Sequence, residues 1–203
     1  MNPRMLRRFI ILMVALTVGM FLFWDLLKSY VTQPAGDFDT KMGDQRLTEG
    51  NLEEALEHFN LALDESPDHR GALMGRALVF IQQDDHDSAI AELDYLIDYL
   101  HENLEDDDGT GRGVLASAYA NRGIANDRAG LYDKALEDYI ASLNVDQETV
   151  EGPGVIHKIL YGSEDVSTVR DRARYIYEQL QLPEDQRLMR VPELDEKQRM
   201  YKP

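Results

Sequence analysis

The chain has 203 residues, and its 38 Asp and Glu outnumber its 21 Lys and Arg, which gives a formal net charge of −17. This acidity disfavours nucleic-acid binding, because that binding depends on cations that neutralise phosphates. It also disfavours contact between the main body of the protein and anionic lipid surfaces. The absence of cysteine excludes disulfides, thiolate catalysis and Cys-ligated metal sites.

The N-terminal segment, residues 1–28, has the composition of a transmembrane anchor behind a basic cytoplasmic tip. Residues 9–24 form an uncharged run of 16 residues, which reaches 19 with the apolar pair beyond Asp25. A helix of that length spans about 28 Å, close to the thickness of a bilayer core. The alternatives are a cleaved signal peptide and a buried helix of a soluble protein. A signal peptide is disfavoured because the run is long and no small-residue cleavage pair follows it.

The charges on the two sides of this run predict its orientation. Arg4, Arg7 and Arg8 precede it, and the residues that follow are acidic on balance. The positive-inside rule then places the N-terminus in the cytoplasm and residues 29–203 outside it. The expected location is a bacterial inner membrane, crossed once, with the main domain in the periplasm.

A short linker, residues 29–35, leads into a segment where alanine recurs with a fixed period. Ala55 and Ala89 lie 34 residues apart, and Ala135 follows after 46, which is 34 plus an insertion of 12. The positions that accompany these alanines at matching offsets are Gly43, Gly50, Phe59, Ala62, Pro67, Ala77, Phe80, Asp84, Leu93, Leu96, Tyr119, Gly123, Gly130, Tyr132, Tyr139 and Ser142. This pattern resembles the tetratricopeptide repeat (TPR) family, whose helical hairpins repeat every 34 residues.

The resemblance implies an all-α fold, a solenoid of helical hairpins behind one N-terminal transmembrane helix. The solenoid is expected over residues 36–183, and residues 184–203 form a C-terminal tail. Within the solenoid the expected units are repeats at 36–69, 70–100 and 116–149, an acidic insertion at 101–112 that forms a solvated loop, and a degenerate capping hairpin at 150–183.

The spacing of small residues predicts close packing between the two helices of a hairpin. Gly43 and Gly123 on first helices are expected to let the second helices approach, with Phe59 and Tyr139 filling the groove beside them. Gly50 and Gly130 are expected to form the turns between the paired helices.

The degenerate fourth hairpin is predicted from one apolar stripe. Val169, Ala173, Ile176 and Leu180 recur at helical spacing, and Ser167 is the expected N-cap. Its partner helix would be residues 154–161. We expect this pair to close the solenoid, whose end would otherwise expose an apolar face.

No pattern in the sequence predicts chemistry. Asp106 and Asp108 before Gly109 resemble part of a calcium loop, but Leu104 and Leu115 stand where that loop needs acids. The five histidines form no tight ligand pair, and no nucleophile elbow or phosphate-binding glycine loop occurs. We therefore predict no catalytic, cofactor-binding or metal-binding residue and a protein that is not an enzyme.

The resemblance also implies where a partner binds, since TPR proteins hold extended or helical peptides in a groove lined by the first helix of each pair. The corresponding positions are Thr40, Asp44, Leu47, Met74, Leu78, Ile81, Gln82, Asn121, Ile124 and Arg128. The alternative is that the apolar members pack inside the solenoid.

The family's clamp for the C-terminal carboxylate of chaperones needs Lys, Asn and Arg at particular offsets. The residues at those offsets are Thr40, Asp44, Gly75, Ser117 and Asn121. Only Asn121 has the chemistry of a clamp residue, and it stands where arginine is needed. Binding of an EEVD-type tail is therefore not implied.

The C-terminal tail alternates charges of both signs with apolar residues, and Pro192 prevents one continuous helix. We expect an extended arm that lies on a partner or back along the solenoid, with a frayed terminus as the alternative.

These features together predict a membrane-anchored scaffold or assembly factor that binds a partner protein through its groove near the membrane. No cofactor, nucleic acid or small-molecule substrate is expected. The chain resembles membrane-anchored periplasmic TPR proteins in this respect. The alternative is a permanent accessory subunit of a membrane enzyme complex, held through its anchor and tail.

Overall fold

The computed structural model describes residues 3–31, 34–151, 168–191, 198, 200 and 201, and the regular structure among them is helical. The α-helices are α1 Pro3–Val31, α2 Asp37–Thr48, α3 Leu52–Glu65, α4 Arg70–Gln82, α5 His86–Asn103, α6 Gly109–Arg128, α7 Tyr132–Val145, α8 Gln147–Glu151 and α9 Val169–Leu180. A short 3₁₀-helix, Glu184–Gln186, follows α9.

Helices α2 to α7 form three consecutive hairpins that stack into a solenoid. Within each hairpin the two helices pack together, and each hairpin packs on the next through α3 with α4 and α5 with α6. The first helices also touch one another, α2 with α4 and α4 with α6. They therefore share one face of the stack. Helix α9 packs against α7, and α8 lies against α6 and α7, so both cover the end of the third hairpin.

Small residues allow the paired helices to approach, as the spacing predicts. A Cβ added to Gly43 would lie 2.6 Å from the ring of Phe59, and one added to Gly123 would lie 2.7 Å from the ring of Tyr139. Both rings are buried, and so is Ala135 beside Gly123. Because no side chain fits between these helices, glycine is needed at both positions.

The turns between paired helices use a left-handed backbone at the same place in each hairpin. Gly50 and Gly130 have φ angles of 79° and 80°, and Asp84 has a φ of 58°. The prediction for the two glycines is confirmed, since glycine adopts this conformation without steric cost. Aspartate tolerates it better than most other residues.

The acidic insertion is mostly helix, so the prediction of a solvated loop over residues 101–112 is wrong outside 104–108. Helix α5 continues to Asn103 and α6 already begins at Gly109. The carboxylate of Asp108 explains the early start, because its Oδ1 accepts a hydrogen bond from the Gly111 N–H at 2.7 Å. Its Oδ2 lies 2.7 Å from Nη1 of Arg70. Asp108 is thus the N-cap of α6 rather than a calcium ligand.

The fourth hairpin can be compared with its prediction only in part, because Ser167 and residues 154–161 lie outside the described residues. The N-cap of α9 is Thr168, not Ser167, and it forms a capping box with Asp171. Thr168 is favoured because the acid that completes this box stands three residues after it. Val169, Ala173 and Ile176 of the apolar stripe are buried, and Leu180 is half-buried.

Helix α1 differs from the others in that its apolar segment is exposed. Its segment Pro3–Asp25 is long and apolar enough to cross a membrane by length and composition, and none of it is buried against the rest of the chain. Large apolar side chains such as Phe21 and Trp24 are about two-thirds exposed, at 68% and 65%. Such a helix needs an apolar environment that the described chain does not provide.

Candidate peptide-binding groove

The shared face of α2, α4 and α6 contains the residues that the sequence predicts for a groove. Most of them are less accessible than a groove lining would suggest. The buried ones are Thr40, Met74, Leu78, Ile81, Asn121 and Ile124, the half-buried ones are Asp44, Leu47 and Arg128, and Gln82 is exposed.

Contacts join the α4 and α6 parts of this set. The side-chain amide of Asn121 donates to the sulfur of Met74 at 3.2 Å, and Arg128 donates to the backbone carbonyl of Ile81 at 3.4 Å. Thr40 on α2 instead pairs with its own repeat, with its hydroxyl 3.3 Å from Nδ1 of His69. The structure thus assembles a polar and apolar surface mainly between α4 and α6.

Asn121, at the middle of α6, holds the backbone of the C-terminal tail. Its Nδ2 donates to the carbonyl oxygen of Tyr201 at 2.6 Å, and its Oδ1 accepts from the Tyr201 N–H at 2.8 Å. Asn121 is fully buried and Tyr201 is 5% exposed. The two bonds resemble the pairing of one residue in a β-ladder and fix the orientation of the amide.

The side chain of Tyr201 is enclosed by groups from three helices. Ile124 on α6, Tyr139 on α7, and Val169 and Arg172 on α9 line the site around it. The phenolic oxygen accepts a hydrogen bond from the Val169 N–H at 3.1 Å. That N–H is the first of α9 and has no partner within its own helix, so the tyrosine hydroxyl satisfies it.

A buried ion pair supports this end of the site. Arg172 donates from Nε and Nη2 to the two carboxylate oxygens of Asp127, at 2.6 Å and 2.8 Å, and both side chains are 3% exposed. The pair connects α6 to α9. Burial raises the pKa of Tyr139 well above its usual value, and the nearby Asp127 carboxylate raises it further. Tyr139 therefore stays protonated and donates to Asp127 at 3.2 Å.

Gln198 joins the same network from the tail. Its side-chain amide donates to the hydroxyl of Tyr139 at 2.6 Å and lies 3.4 Å from Oδ2 of Asp127. The tail therefore contributes two polar anchors to the site, a backbone at Tyr201 and an amide at Gln198.

An earlier part of the tail runs along α9. The carbonyl of Leu188 accepts from the hydroxyl of Tyr175 at 2.6 Å, and its N–H donates to Gln179 at 2.8 Å. The side chain of Arg190 donates to the backbone carbonyl of Arg128 at the end of α6. The sequence left open whether the tail lies on a partner, lies back along the solenoid or is frayed. The described tail residues lie back along the solenoid.

Sequence reasoning missed the tail's place in the groove and the buried ion pair. A signal for the pair exists, since Arg172 lies three residues after Val169 and four before Ile176, on the face that the apolar stripe predicts to be buried. A buried arginine requires an acidic partner. Nothing in the spacing pointed to Gln198 or Tyr201.

The site has no feature of a carboxylate clamp or a metal centre. None of the five clamp positions carries a cation, Gly75 packs against the ring of Phe59, and Ser117 is buried. Within the part of the chain that the structure describes, no group of three or more His, Cys, Asp or Glu could hold a metal ion.

Comparison with known proteins agrees with this architecture. A model of the tetratricopeptide repeat family matches residues 40–101, less than a third of the chain, which corresponds to α2 through most of α5. No curated protein matches the chain in sequence. The chain thus carries a TPR segment within an all-helical, TPR-like solenoid, and repeats of this family typically serve as non-enzymatic interaction scaffolds.

Two solved structures share the fold at low sequence identity. The first TPR of Spaghetti (RPAP3), bound to the HSP90 peptide SRMEEVD, is 15% identical, with a TM-score of 0.54 over 74% of this chain and 97% of that one. The first TPR domain of human RPAP3 is also 15% identical, with a TM-score of 0.54 over 72% and 93%.

Proposed function

We propose that this protein is a membrane-anchored interaction scaffold that binds an extended segment of a partner protein in the groove around Asn121. One observation carries the proposal. A fully buried side-chain amide on the face shared by α2, α4 and α6 makes both of its strong hydrogen bonds to the backbone of one tail residue, Tyr201. Main-chain bonding of this kind gives affinity for a peptide largely independent of its sequence.

Asn121 is buried with the tail in place, where the backbone of Tyr201 satisfies its side-chain amide. An amide that is removed from water without partners costs about 1–3 kcal/mol. Its Nδ2 also contacts the sulfur of Met74, which is a weak acceptor. A peptide carbonyl and a peptide N–H are therefore the groups that complete it. Any extended segment can supply these groups.

The charge of the chain favours a particular kind of partner. The net charge of the chain is −17. Complementary charge speeds encounter and disfavours acidic competitors. A partner segment flanked by Lys or Arg fits this surface better than the acidic EEVD-type tail of a chaperone.

The membrane part of the proposal depends on α1. An apolar helix that is unburied over Pro3–Asp25 and carries Arg4, Arg7 and Arg8 in its first turns supports an anchor with its N-terminus in the cytoplasm and the groove on the extracytoplasmic side. Protease accessibility of the solenoid in intact and in permeabilised cells tests this orientation. Digestion only after the inner membrane is opened would contradict it.

Site-specific crosslinking in native membranes tests the groove itself. A photoreactive benzoylphenylalanine in place of Gln82, which is exposed at the end of α4, should capture a partner protein at one defined mass. The matched control carries the same group in place of Ile140 on α7, which is 47% exposed and lies on a second helix. Equal capture from both positions, or none from Gln82, would contradict binding in the groove.

The alternative function, an accessory subunit held by its anchor and tail, makes the opposite prediction for a truncated chain. Because the segment Pro3–Asp25 is not buried against the rest of the chain, removal of residues 1–28 should leave the groove intact. A groove-driven scaffold keeps its partner in solution after this deletion. An anchored subunit loses it.

A further inference from the structure

We infer that the C-terminal tail is a resident ligand of the groove, which a partner has to displace, and that its residues show what the groove recognises. The recognised segment has a tyrosine three residues after a glutamine, as Gln198 and Tyr201 do. The inference rests on the proposed function, because it assigns the regulation and the preferred ligand of that same site.

Tyr201 is held as a peptide ligand would be held. Both backbone polar groups bond to Asn121, and the hydroxyl accepts from the first N–H of α9. The residue is 5% exposed. Phenylalanine in its place would leave the Val169 N–H without a partner, so the site discriminates in favour of a hydroxyl.

Gln198 adds the second element of recognition. Its amide donates to the hydroxyl of Tyr139, which donates in turn to Asp127. Because Tyr139 uses its single proton on the carboxylate, its oxygen is left to accept from the tail. A glutamine or asparagine can meet this requirement, whereas a carboxylate in its place would face Asp127.

The charge of the last part of the tail is opposite in sign to that of the chain as a whole. Residues 197–203, KQRMYKP, carry three cations and no acid, whereas the chain as a whole has a net charge of −17. Opposite charge favours this segment over the acidic stretches elsewhere in the chain.

The tail has an advantage over any partner because it is covalently attached. A segment joined by a short linker acts at an effective concentration of roughly millimolar. If the attached tail and a free peptide both bind the groove with an intrinsic Kd of about 10 μM, the tail occupies the groove about 100 times as often as it leaves it vacant. The free peptide would therefore bind the closed chain about 100-fold more weakly than the vacated groove. The groove is closed by default, and a partner opens it only at high local concentration or with additional contacts.

The test uses the full-length chain in detergent micelles and a fluorescein-labelled decapeptide of residues 194–203, measured by fluorescence anisotropy. The variant Y201S vacates the groove, and Y177S, at an exposed tyrosine of α9, is the matched control. We expect Y201S to bind the peptide at least tenfold more tightly than wild type or Y177S. Addition of Asn121→Ala to Y201S should abolish this gain, and a decapeptide that carries Y201A should not bind.

Equal affinity of wild type and Y201S, or no binding by a Y201S chain whose circular dichroism is native, would overturn the inference. A second measurement leaves the tail intact in case Y201S does not fold. The chain has no cysteine, so Gln82→Cys and Lys202→Cys can carry two spin labels in an otherwise native protein. We expect a narrow distance distribution that broadens when millimolar peptide is added.

A distribution that millimolar peptide leaves unchanged would overturn the inference. So would distances found only between two different chains, because the occupant would then be the tail of a second copy.

The failure of the inference and the failure of the proposed function give different results. If Gln82 captures the same amount of partner in wild type and in Y201S, the groove binds a partner but the tail does not regulate it. If the decapeptide binds Y201S but no partner is ever captured at Gln82, tail and groove recognise each other and the scaffold function is wrong.

Discussion

The first and third hairpins have the same frame and different surfaces. Gly43 and Phe59 in the first hairpin lie 80 residues before Gly123 and Tyr139 in the third, and each pair packs in the same way. The positions that correspond to Asn121 and Asp127 are Lys41, which is exposed, and Leu47, which is half-buried.

Few substitutions separate the first hairpin from the third, which holds the C-terminal tail. The hydroxyl of Tyr139 connects Gln198 to Asp127, and the ring of Phe59 has no such group. The glycine and the aromatic residue at this shared spacing allow the two helices of a hairpin to pack together. The site depends in addition on Asn121 and Asp127 of the first helix and on the hydroxyl of Tyr139. The comparison suggests four experiments.

The largest effect is expected at the buried ion pair by which Asp127 of the third hairpin is joined to Arg172 of α9. Arg172→Ala should lower the free energy of unfolding by about 3–5 kcal/mol, because it leaves the Asp127 carboxylate buried without a cation. Urea unfolding in detergent, followed by circular dichroism, measures this loss. A double variant with Asp127→Leu and Arg172→Met should recover most of it. A loss in the double variant as large as in Arg172→Ala would contradict this explanation.

The next effect should be equal in the two hairpins, because it tests their common frame. Gly43→Ala and Gly123→Ala each place a Cβ within 2.7 Å of a buried ring, which should cost about 1–3 kcal/mol. The control is Gly109→Ala at the start of α6, where an added Cβ meets only the end of the Arg112 side chain at 4.0 Å. That substitution should be neutral or stabilising. A cost in only one of the two hairpins would contradict a common frame.

A smaller effect should separate the hairpins again. Tyr139→Phe removes the hydroxyl that accepts from Gln198 and should cost about 1 kcal/mol, since a buried hydrogen bond is lost. When Tyr139→Phe is added to the Y201S chain, the affinity of that chain for the tail decapeptide should also fall. The reciprocal change, Phe59→Tyr, should not create a second binding site, because Leu47 offers no acceptor. Unchanged peptide affinity in the Tyr139→Phe chain would remove Gln198 from the recognition model.

The smallest effect is a dependence on alkaline pH. Burial holds the pKa of Tyr139 well above the value near 10 that an unfolded tyrosine has. Above about pH 10 the unfolded chain releases this proton while the folded chain keeps it, so stability falls as pH rises. The difference in stability between wild type and Tyr139→Phe should therefore shrink from pH 9 to pH 11. A constant difference over that range would show that Tyr139 ionises normally in the folded chain.

Much of the frame could be predicted from sequence because it depends on spacing. The alanine period, the glycine turns at residues 50 and 130, and the apolar stripe of α9 follow from local rules, and the structure shows all three. The prediction for the insertion was wrong because Asp108 is the N-cap of α6. The sequence alone does not show this hydrogen bond, and a cluster of acidic residues is also typical of a solvated loop.

The site could be predicted only in part, because its pairs are distant in sequence. Asn121 and Tyr201 are 80 residues apart, and Asp127 and Arg172 are 45 apart. No periodicity links such residues. The resemblance to TPR repeats included Asn121 among the expected groove positions, and the buried state of Leu78 and Ile81 favours the packing role that the sequence left open for them.

The hydrogen bond from Val169 to Tyr201 has a consequence for amide exchange. The first N–H of a helix normally exchanges quickly with solvent, because it has no partner within the helix. In this chain that N–H is protected by a residue of the tail, 32 positions away in sequence. Its exchange rate is therefore set by how often the tail leaves the groove, which makes one backbone amide a reporter of groove occupancy in the unmodified protein.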